Sequence, residues 1–260
     1  MIEIKNLTKD FGDVQAVRDL NLLVPAGELF CFLGPNGAGK TTTIKMACGL
    51  LRPSSGKIII GGFDLAREPE KVRKIIGYIP DMPYLYDRLT PSEFFEFIGD
   101  LYEIPRRDVV DSRAQAFDLF DLWQYESCLI KDLSHGYRQR LIYATTFFHK
   151  PQVLFIDEPF IGLDPYTIRL IHNLLRQKVA AGMTIFMTSH ILALIEKMAD
   201  RIGIIRDGRL VASGSLDELR SHSLLSRSGT KNKDNSEQWQ LEDIFLHLTR
   251  PEDEETQKAE

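Results

Sequence analysis

The chain has 260 residues, of which 43% are hydrophobic and 27% charged, a composition typical of a folded globular protein rather than a disordered one. Residues 250–260 carry two basic and five acidic side chains, a net of −3, so the remaining residues carry only −2 of the total charge of −5. This distribution leaves no global basic field for nucleic acid or anionic lipid, and we expect no nucleic acid partner.

The sequence shows no segment that would insert this chain into a membrane. No stretch approaches the ~20 continuous apolar residues that a membrane helix requires, and residues 1–5 lack the apolar core of a signal peptide. The three cysteines, Cys31, Cys48 and Cys128, are odd in number and have no metal-ligand spacing. We expect them to be buried thiols in a reducing compartment.

The first sixty residues predict antiparallel strands, a buried strand and a helix. Apolar and polar residues alternate over residues 2–24, which is the pattern of half-buried antiparallel strands. Residues 29–33 form a continuous apolar run, as in a strand covered on both faces, and residues 41–50 are compatible with a helix. A Pro-Ser-Ser-Gly turn at residues 53–56 then precedes a short strand at residues 57–60.

Helices and then parallel strands are predicted for the middle of the chain. Residues 90–93, Thr-Pro-Ser-Glu, are a helix start with proline at an early position. Helical spacing predicts an insert over about residues 85–137, with its apolar positions at Phe94, Phe97, Ile98, Leu101, Phe117, Phe120 and Leu122. From residue 153, apolar strands at 153–156, 184–188 and 202–205 alternate with helices, one of them from about Pro165. This alternation predicts a parallel sheet wrapped by helices.

The C-terminal part predicts a linker, a short helix and an acidic tail. Residues 221–238 are rich in Ser, Lys and Asn with almost no apolar anchors, as in a linker. Apolar residues then recur at helical spacing and predict a helix over residues 239–249 that docks on the body of the chain, through Leu241, Ile244, Phe245 and Leu248. The acidic residues 250–260 are expected to form a mobile tail.

The segment between the strand 29–33 and the next helix matches the phosphate-binding pattern G-x-x-x-x-G-K-[ST]. It consists of Gly34, Pro35, Asn36, Gly37, Ala38, Gly39, Lys40 and Thr41. Glycines let several backbone N–H groups face one anion, and the helix N-terminus adds a partial positive charge. Lys40 can reach the β- and γ-phosphates, the Thr41 hydroxyl can bind Mg²⁺, and Thr42 is also assigned to the nucleotide site. The alternative is a Gly-rich turn that matches by chance.

Two acidic residues, Asp157 and Glu158, follow the buried strand 153–156. The carboxyl end of a central parallel strand lies where α/β folds bind ligands. We therefore expect Asp157 to hold Mg²⁺ through water and Glu158 to orient or deprotonate an attacking water molecule. His190 ends a similar apolar run, and a neutral imidazole there could contact the γ-phosphate. The alternatives are a solvated acidic turn and a structural histidine.

Residues 133–137, Leu-Ser-His-Gly-Tyr, resemble the L-S-G-G-Q signature of ABC ATPases. The order of elements is also similar to that family: an aromatic loop at Phe11, the phosphate loop, a helical insert, the signature, the acidic strand, Gly162-Leu163-Asp164, and His190. The resemblance covers roughly residues 1–220. It implies the ABC ATPase fold, an α/β P-loop NTPase core with a parallel sheet, an N-terminal antiparallel β subdomain and a helical insert.

The resemblance also implies roles for residues outside the phosphate loop. In the family, the signature closes over ATP held by the opposite subunit, so Ser134 and Gly136 would contact nucleotide in a head-to-tail dimer that encloses two MgATP. Ser134 is also expected as a helix N-cap. Phe11 matches the aromatic residue that stacks on adenine, although a core aromatic is an alternative. Gly162 and Asp164 match the loop that communicates between the two sites.

Three positions depart from the family pattern. His135 and Tyr137 stand where the signature commonly has Gly and Gln, whereas Ser134 and the second Gly are retained. Asp81 stands where the family usually has a Gln that reaches Mg²⁺ and the attacking water. We expect Asp81 still to approach Mg²⁺, directly or through water, because its position in the motif is preserved.

The spacing of the motifs favours a transport ATPase. The phosphate loop and signature are too close for the coiled-coil arms of chromosome and repair types, and one ATPase half is unlike the translation-factor types. The remaining arrangement is a cytoplasmic subunit, peripheral on the inner face of the cell membrane, that pairs as a homodimer or heterodimer and drives a separate integral membrane permease. The terminal helix is similar to that of exporter subunits, and import stays open. A soluble ABC-type regulator and a P-loop kinase are the rival classes.

One surface feature bears on this choice. An apolar and aromatic cluster follows Asp81 and, by the resemblance, faces the permease; it comprises Met82, Tyr84, Leu85 and Tyr86. The alternative is that the same cluster packs under the helical insert.

Overall fold

The computed structural model describes residues 1–82, 84–225 and 240–249. The predicted linker lies outside the described residues from 226 to 238, and so does the acidic tail 250–260. Across the described ranges, none of the helices combines the length and the apolar character that crossing a membrane requires.

An antiparallel sheet is built mainly by the first sixty residues. Its strands are β1 (Ile2–Phe11), β2 (Val14–Val24), β4 (Ser55–Ile60) and β5 (Phe63–Asp64), in the order β2-β1-β4-β5. Ile2, Ile4 and Leu7 of β1 are buried, while the residues between them are less buried. The predicted alternation is therefore confirmed in β1, because one face of this sheet packs on the core. It is wrong at the start of β2, where Val14 is 66% exposed and Val17 is buried instead.

A second sheet of six strands forms the centre of the molecule. It consists of β3 (Leu29–Leu33), β6 (Ile76–Ile79), β7 (Val153–Ile156), β8 (Thr184–Thr188), β9 (Arg201–Arg206) and β10 (Arg209–Gly214). The order is β10-β9-β3-β8-β7-β6, with only β10 antiparallel to its neighbour. The strands β3, β7 and β8 lie next to one another, so the ends of their apolar runs meet at one edge.

Each face of the six-stranded sheet belongs to a different core. Alternate side chains of a strand point to opposite faces, so Phe30 and Phe32 of β3 pack toward the antiparallel sheet, whereas Leu29, Cys31 and Leu33 pack toward helices. The ring of Phe186 from β8 lies 5.3 Å from Phe30 and 5.4 Å from Phe32, measured between centroids. The sheet is therefore covered on both sides, as its continuous apolar strands predict.

Nine α-helices and two 3₁₀ turns complete the described part of the chain. The helices next to the central sheet are α1 (Lys40–Ala47), α2 (Pro69–Ile75), α5 (His135–Thr146), α6 (Pro165–Ala180), α7 (Leu192–Met198), α8 (Leu216–Leu225) and α9 (Leu241–Thr249). The predicted insert contains α3 (Pro91–Leu101), α4 (Arg106–Phe120) and turns at Trp123–Tyr125 and Ile130–Asp132. Thr90 and Glu93 form a capping box at the start of α3.

Three details differ from the sequence predictions. The buried face of α3 carries Phe95 and Gly99, whereas Phe97 and Leu101 are exposed. The reason is that Phe95 packs on Phe117 of α4, with ring centroids 5.8 Å apart. Residues 221–225 belong to α8 and not to the linker.

The third difference concerns the cysteines. Cys31 and Cys48 are buried as expected, but Cys128 is exposed. It lies in the surface segment between the two 3₁₀ turns of the insert, where no neighbouring sheet covers the side chain.

Candidate nucleotide-binding site

The predicted phosphate loop joins β3 to α1 in a conformation that requires glycine. Gly37 and Gly39 have φ angles of 80° and 105°, which non-glycine residues rarely adopt. A Cβ atom at Gly39 would collide with the carbonyl oxygen of Ala16, and one at Gly34 with that of Ile205. The loop is therefore enclosed by β2 on one side and β9 on the other.

The N-terminus of α1 opens onto this loop. Gly39 is the N-cap and provides no side-chain cap, so the first N–H groups of the helix have no intrahelical acceptor. Thr41 is exposed in the first turn, while the Thr43 hydroxyl donates to the Gly39 carbonyl at 2.8 Å. Free N–H groups at a helix N-terminus bind anions such as phosphate.

Contacts within the protein hold the Lys40 side chain against the phosphate loop. Its side chain is only 8% exposed, and the ammonium donates to the carbonyl oxygens of Gly34 at 2.7 Å and Pro35 at 3.1 Å. Burial lowers the pKa of Lys40, and the charges of Glu158 and Asp157 oppose that shift. The two carboxylates are thus close enough to Lys40 for their charges to act on it.

Asp157 has an oxygen atom that no protein group satisfies. The residue is 1% exposed, and its Oδ1 accepts a hydrogen bond from the Thr188 hydroxyl at 2.6 Å. Its Oδ2 is buried and has no hydrogen-bond partner among the described residues. Buried acceptors of this kind are rare, and a carboxylate oxygen is a ligand that Mg²⁺ prefers. The donor set therefore fits Mg²⁺, with the Thr41 hydroxyl as a second oxygen.

The remaining ligands of a Mg²⁺ ion at this site would be water molecules or phosphate oxygens. In the described part of the chain, no group of three or more His, Cys, Asp or Glu residues could hold a metal. Mg²⁺ commonly keeps several waters and binds through one or two protein oxygens plus substrate phosphates. A site with one buried carboxylate oxygen is consistent with this coordination preference of Mg²⁺.

Glu158 and His190 form a pair at the ends of neighbouring strands. His190 Nδ1 lies 2.8 Å from Glu158 Oε2, and the Glu158 amide donates to the Thr188 hydroxyl oxygen at 3.1 Å. The contact of His190 with the γ-phosphate stays a prediction, because it concerns a ligand.

The other nucleotide-site predictions are placed at the surface. Phe11 is 50% exposed, with the Lys9 ammonium 5.0 Å from its ring centroid, so the alternative of a core aromatic is wrong. Asp81 is exposed, and its Oδ1 accepts from the Met82 amide at 2.8 Å. That contact is local, so the approach of Asp81 to Mg²⁺ stays a prediction.

The signature segment begins helix α5. Ser134 is its N-cap residue, but the hydroxyl makes no side-chain cap hydrogen bond, and the space around Gly136 is open. His135 lies over the loop that follows β7, because its Nε2 is 3.2 Å from the Ile161 carbonyl oxygen. The start of this helix is therefore exposed, and its contact with nucleotide stays a prediction.

Asp164 of the predicted communication loop caps helix α6. Its Oδ1 accepts from the Thr167 amide at 3.0 Å and its Oδ2 from the Thr167 hydroxyl at 2.6 Å. These two hydrogen bonds lower the pKa of the Asp164 carboxyl. Gly162 has a φ of 70° in the same loop. Sequence reasoning missed Thr188, Arg140 and Thr167; a hydroxyl at the end of β8 was the only available signal for Thr188.

Comparison with known families matches the central part of the chain. The family described as "ABC transporter" matches residues 17–161, more than half of the chain, and that range contains the phosphate loop, the signature and the acidic strand end. A second family, described as "AAA domain, putative AbiEii toxin, Type IV TA system", matches the shorter range 130–196.

Curated relatives and a solved structure agree with the first match. The probable multidrug ABC transporter ATP-binding protein YbhF of Escherichia coli is 39% identical over 86% of this chain, which spans only 38% of that relative's length. The linearmycin resistance ATP-binding protein LnrL of Bacillus subtilis is 34% identical over 85% of this chain and 71% of the relative. A solved ATP binding subunit of an ABC transporter is 31% identical, with a TM-score of 0.86 over 96% of this chain and all of that one.

Proposed function

This chain belongs to the ABC transporter family of ATP-binding proteins, and on that premise we propose that it is the ATP-hydrolysing subunit of an exporter whose permease is a separate membrane protein. The observation that carries the proposal is the unpaired buried oxygen of Asp157 near Lys40, followed by the Glu158–His190 pair. An oxygen ligand for Mg²⁺, a cation for phosphate and a carboxylate base are the groups that ATP hydrolysis requires.

The proposed reaction divides the work among these side chains. Backbone N–H groups of the loop and the Lys40 ammonium bind the β- and γ-phosphates. Asp157 Oδ2 and the Thr41 hydroxyl would hold Mg²⁺, which supplies charge neutralisation on the phosphate oxygens. Glu158 accepts a proton from the attacking water, and the oxygen of that water bonds to the γ-phosphorus. The bond from the γ-phosphorus to the bridging oxygen breaks, and ADP leaves.

Two copies are needed in this proposal because the phosphate loop of one copy forms only one side of the ATP site, and the signature of the other copy forms the opposite side. Ser134 and Gly136 present an exposed helix N-terminus without a side-chain cap, which is suited to phosphate bound in a partner subunit. ATP between two subunits stabilises the closed pair by contacts on both sides, and loss of the γ-phosphate removes them. Head-to-tail pairing follows, since each copy then supplies one loop and one signature.

An exposed apolar surface supports a membrane partner. Tyr84 is 83% exposed, and Met82 and Tyr86 are also exposed, which favours a docking surface over packing under the insert. The Tyr86 ring lies 5.1 Å from the Phe97 ring of α3. The relatives named for multidrug and linearmycin resistance support export rather than import, with this subunit on the inner face of the cell membrane.

A copurification experiment tests the proposal. Tagged Glu158→Gln protein is isolated from its native cells in mild detergent with MgATP, and the copurifying proteins are identified by mass spectrometry. We expect a polytopic membrane protein in near-equal amount, and we expect Tyr84→Ser to reduce it. Leu23→Ser, which changes another exposed apolar residue, 64% exposed and located on β2, is the control. Recovery of soluble partners alone would contradict the permease and favour the regulatory ATPase.

A further inference from the structure

A buried charge lies between the signature helix and the loop after the acidic strand. The Arg140 side chain is 7% exposed, although guanidinium groups are seldom buried without a partner. Its Nη2 and Nε donate to the Thr167 hydroxyl oxygen at 2.8 and 3.3 Å, and its Nη1 donates to the Phe120 carbonyl at 3.3 Å. Burial of this charge is costly unless such bonds compensate for lost water.

The hydrogen bonds of Thr167 are fixed in direction. Its oxygen accepts from Arg140, so its single proton is available for Asp164 Oδ2, which lies 2.6 Å away. Asp164 therefore has to be the acceptor, and the three side chains form a relay from a cation through a hydroxyl to a carboxylate. Valine at position 167 would preserve the shape of threonine but remove all three hydrogen bonds of the hydroxyl.

The departures from the family signature contribute to the same cluster. The Tyr137 ring, where the family commonly has Gln, has its centroid 4.8 Å from the Arg140 guanidinium carbon. The Tyr166 ring lies on the same group at 5.6 Å. Aromatic rings stabilise a desolvated cation. His135 adds a separate contact from the start of α5 to the Ile161 carbonyl.

We propose that Arg140 is a positioning residue that holds the exposed start of α5 and the Asp164 loop at a fixed separation. The inference rests on the proposed function, because both segments belong to the surface that meets the second subunit. Arg140 also bonds to the end of α4 through Phe120, so the insert is joined to the same unit. A partner subunit then meets the signature and the loop as one preformed surface.

The test compares three full-length variants by steady-state ATP hydrolysis. We expect Thr167→Val to lower kcat at least about tenfold, since the loss of even one buried hydrogen bond is of that size, and Thr167→Ser to stay within about twofold of wild type. Thr145→Val is the matched control: Thr145 is also buried on α5, but its hydroxyl bonds only to the Leu141 and Ile142 carbonyls of its own helix. A kcat for Thr167→Val equal to that of Thr145→Val would overturn the proposal.

Amide hydrogen exchange gives a readout that does not depend on turnover. We expect faster exchange in residues 131–140 and 160–168 of Thr167→Val, and unchanged exchange there in Thr145→Val. If Thr167→Val does not fold, Tyr137→Gln is expected to accelerate exchange in the same two segments, and unchanged rates would refute the inference. Absence of ATP hydrolysis by the wild-type protein would instead overturn the proposed function, and the exchange data would still decide the role of Arg140.

Discussion

Replacement of Glu158 by Gln isolates the proton-accepting role assigned to that residue. The structure predicts little disturbance, because glutamine has the same length, its Oε1 can still accept from His190 Nδ1, and the backbone contact to Thr188 is unchanged. Lys40 and the phosphate loop remain intact, so ATP affinity should change little. What is lost is the negative charge that takes the proton from water.

The magnitude follows from the contribution of a positioned general base. Such a group accelerates reactions about 10²–10⁴-fold, which corresponds to about 3–5 kcal/mol of activation free energy. We therefore expect kcat to fall by two to four orders of magnitude, with a stable MgATP-bound dimer as the accumulated species. Single-turnover hydrolysis with enzyme in excess measures the chemical step, and size-exclusion chromatography measures the dimer.

The control is Glu96→Gln, a change of the same type at an exposed glutamate on α3 whose nearest cation is Arg113 at 3.8 Å. It should leave the chemical step at the wild-type rate, because an exposed ion pair of this kind contributes little. A rate for Glu158→Gln within about threefold of wild type would refute the reasoning, since general-base removal costs at least about 10²-fold.

Three further outcomes follow from the structure. Asp157→Asn should abolish the Mg²⁺-dependent part of ATP binding, because it removes the negative charge of the carboxylate that carries the unpaired oxygen. Titration calorimetry with and without Mg²⁺ measures this effect. Burial lowers the pKa of His149 in the folded protein, whereas a histidine of the unfolded chain has a pKa of ~6.5. Because the unfolded chain then binds more protons, the free energy of unfolding should fall as pH drops below about 6.5. Urea melts measure this fall, which should be smaller in His149→Gln. Thr90→Ala should cost about 1 kcal/mol through loss of the capping box, measured by thermal unfolding.

Each of these outcomes has a result that would contradict it. Equal Mg²⁺ dependence in Asp157→Asn would remove that residue from the metal site. Parallel stability curves for His149→Gln and wild type between pH 5.5 and 7.5 would exclude His149 as the titrating group. For Thr90→Ala, the control is Ser221→Ala, which changes an exposed hydroxyl within α8, and an equal shift in both would argue against the cap.

The strands of the central sheet were predictable because their signal is local. Three mainly apolar runs predicted β3, β7 and β8 with their observed bounds, since a strand covered on both faces is a nearly unbroken series of apolar residues. The fold class is confirmed for the same reason and by the structural neighbour. The phosphate-loop residues could be assigned because glycine, lysine and threonine occur at fixed offsets within one turn.

The features that sequence reasoning missed depend on contacts between distant residues. The face of α3 is decided by Phe117 of α4, and no periodicity within α3 contains that information. Arg140 and Thr167 are separated by 27 positions and lie on different helices, so neither residue type alone indicates their contact. The roles assigned to the site residues stay predictions, since they concern ligands and a second subunit.

The walls of the phosphate loop have a consequence for how the protein is made. Residues 34–41 form the loop, but its shape is closed by Ala16 on β2 and Ile205 on β9. The wall on β9 is synthesised about 165 residues after the loop. A domain generally folds as a unit during synthesis, so the loop has to wait for this strand. A nascent chain whose β9 segment has not yet left the ribosome therefore lacks one of the two walls of the phosphate loop. The capacity to bind nucleotide should appear late in translation, as a single event that accompanies closure of the sheet.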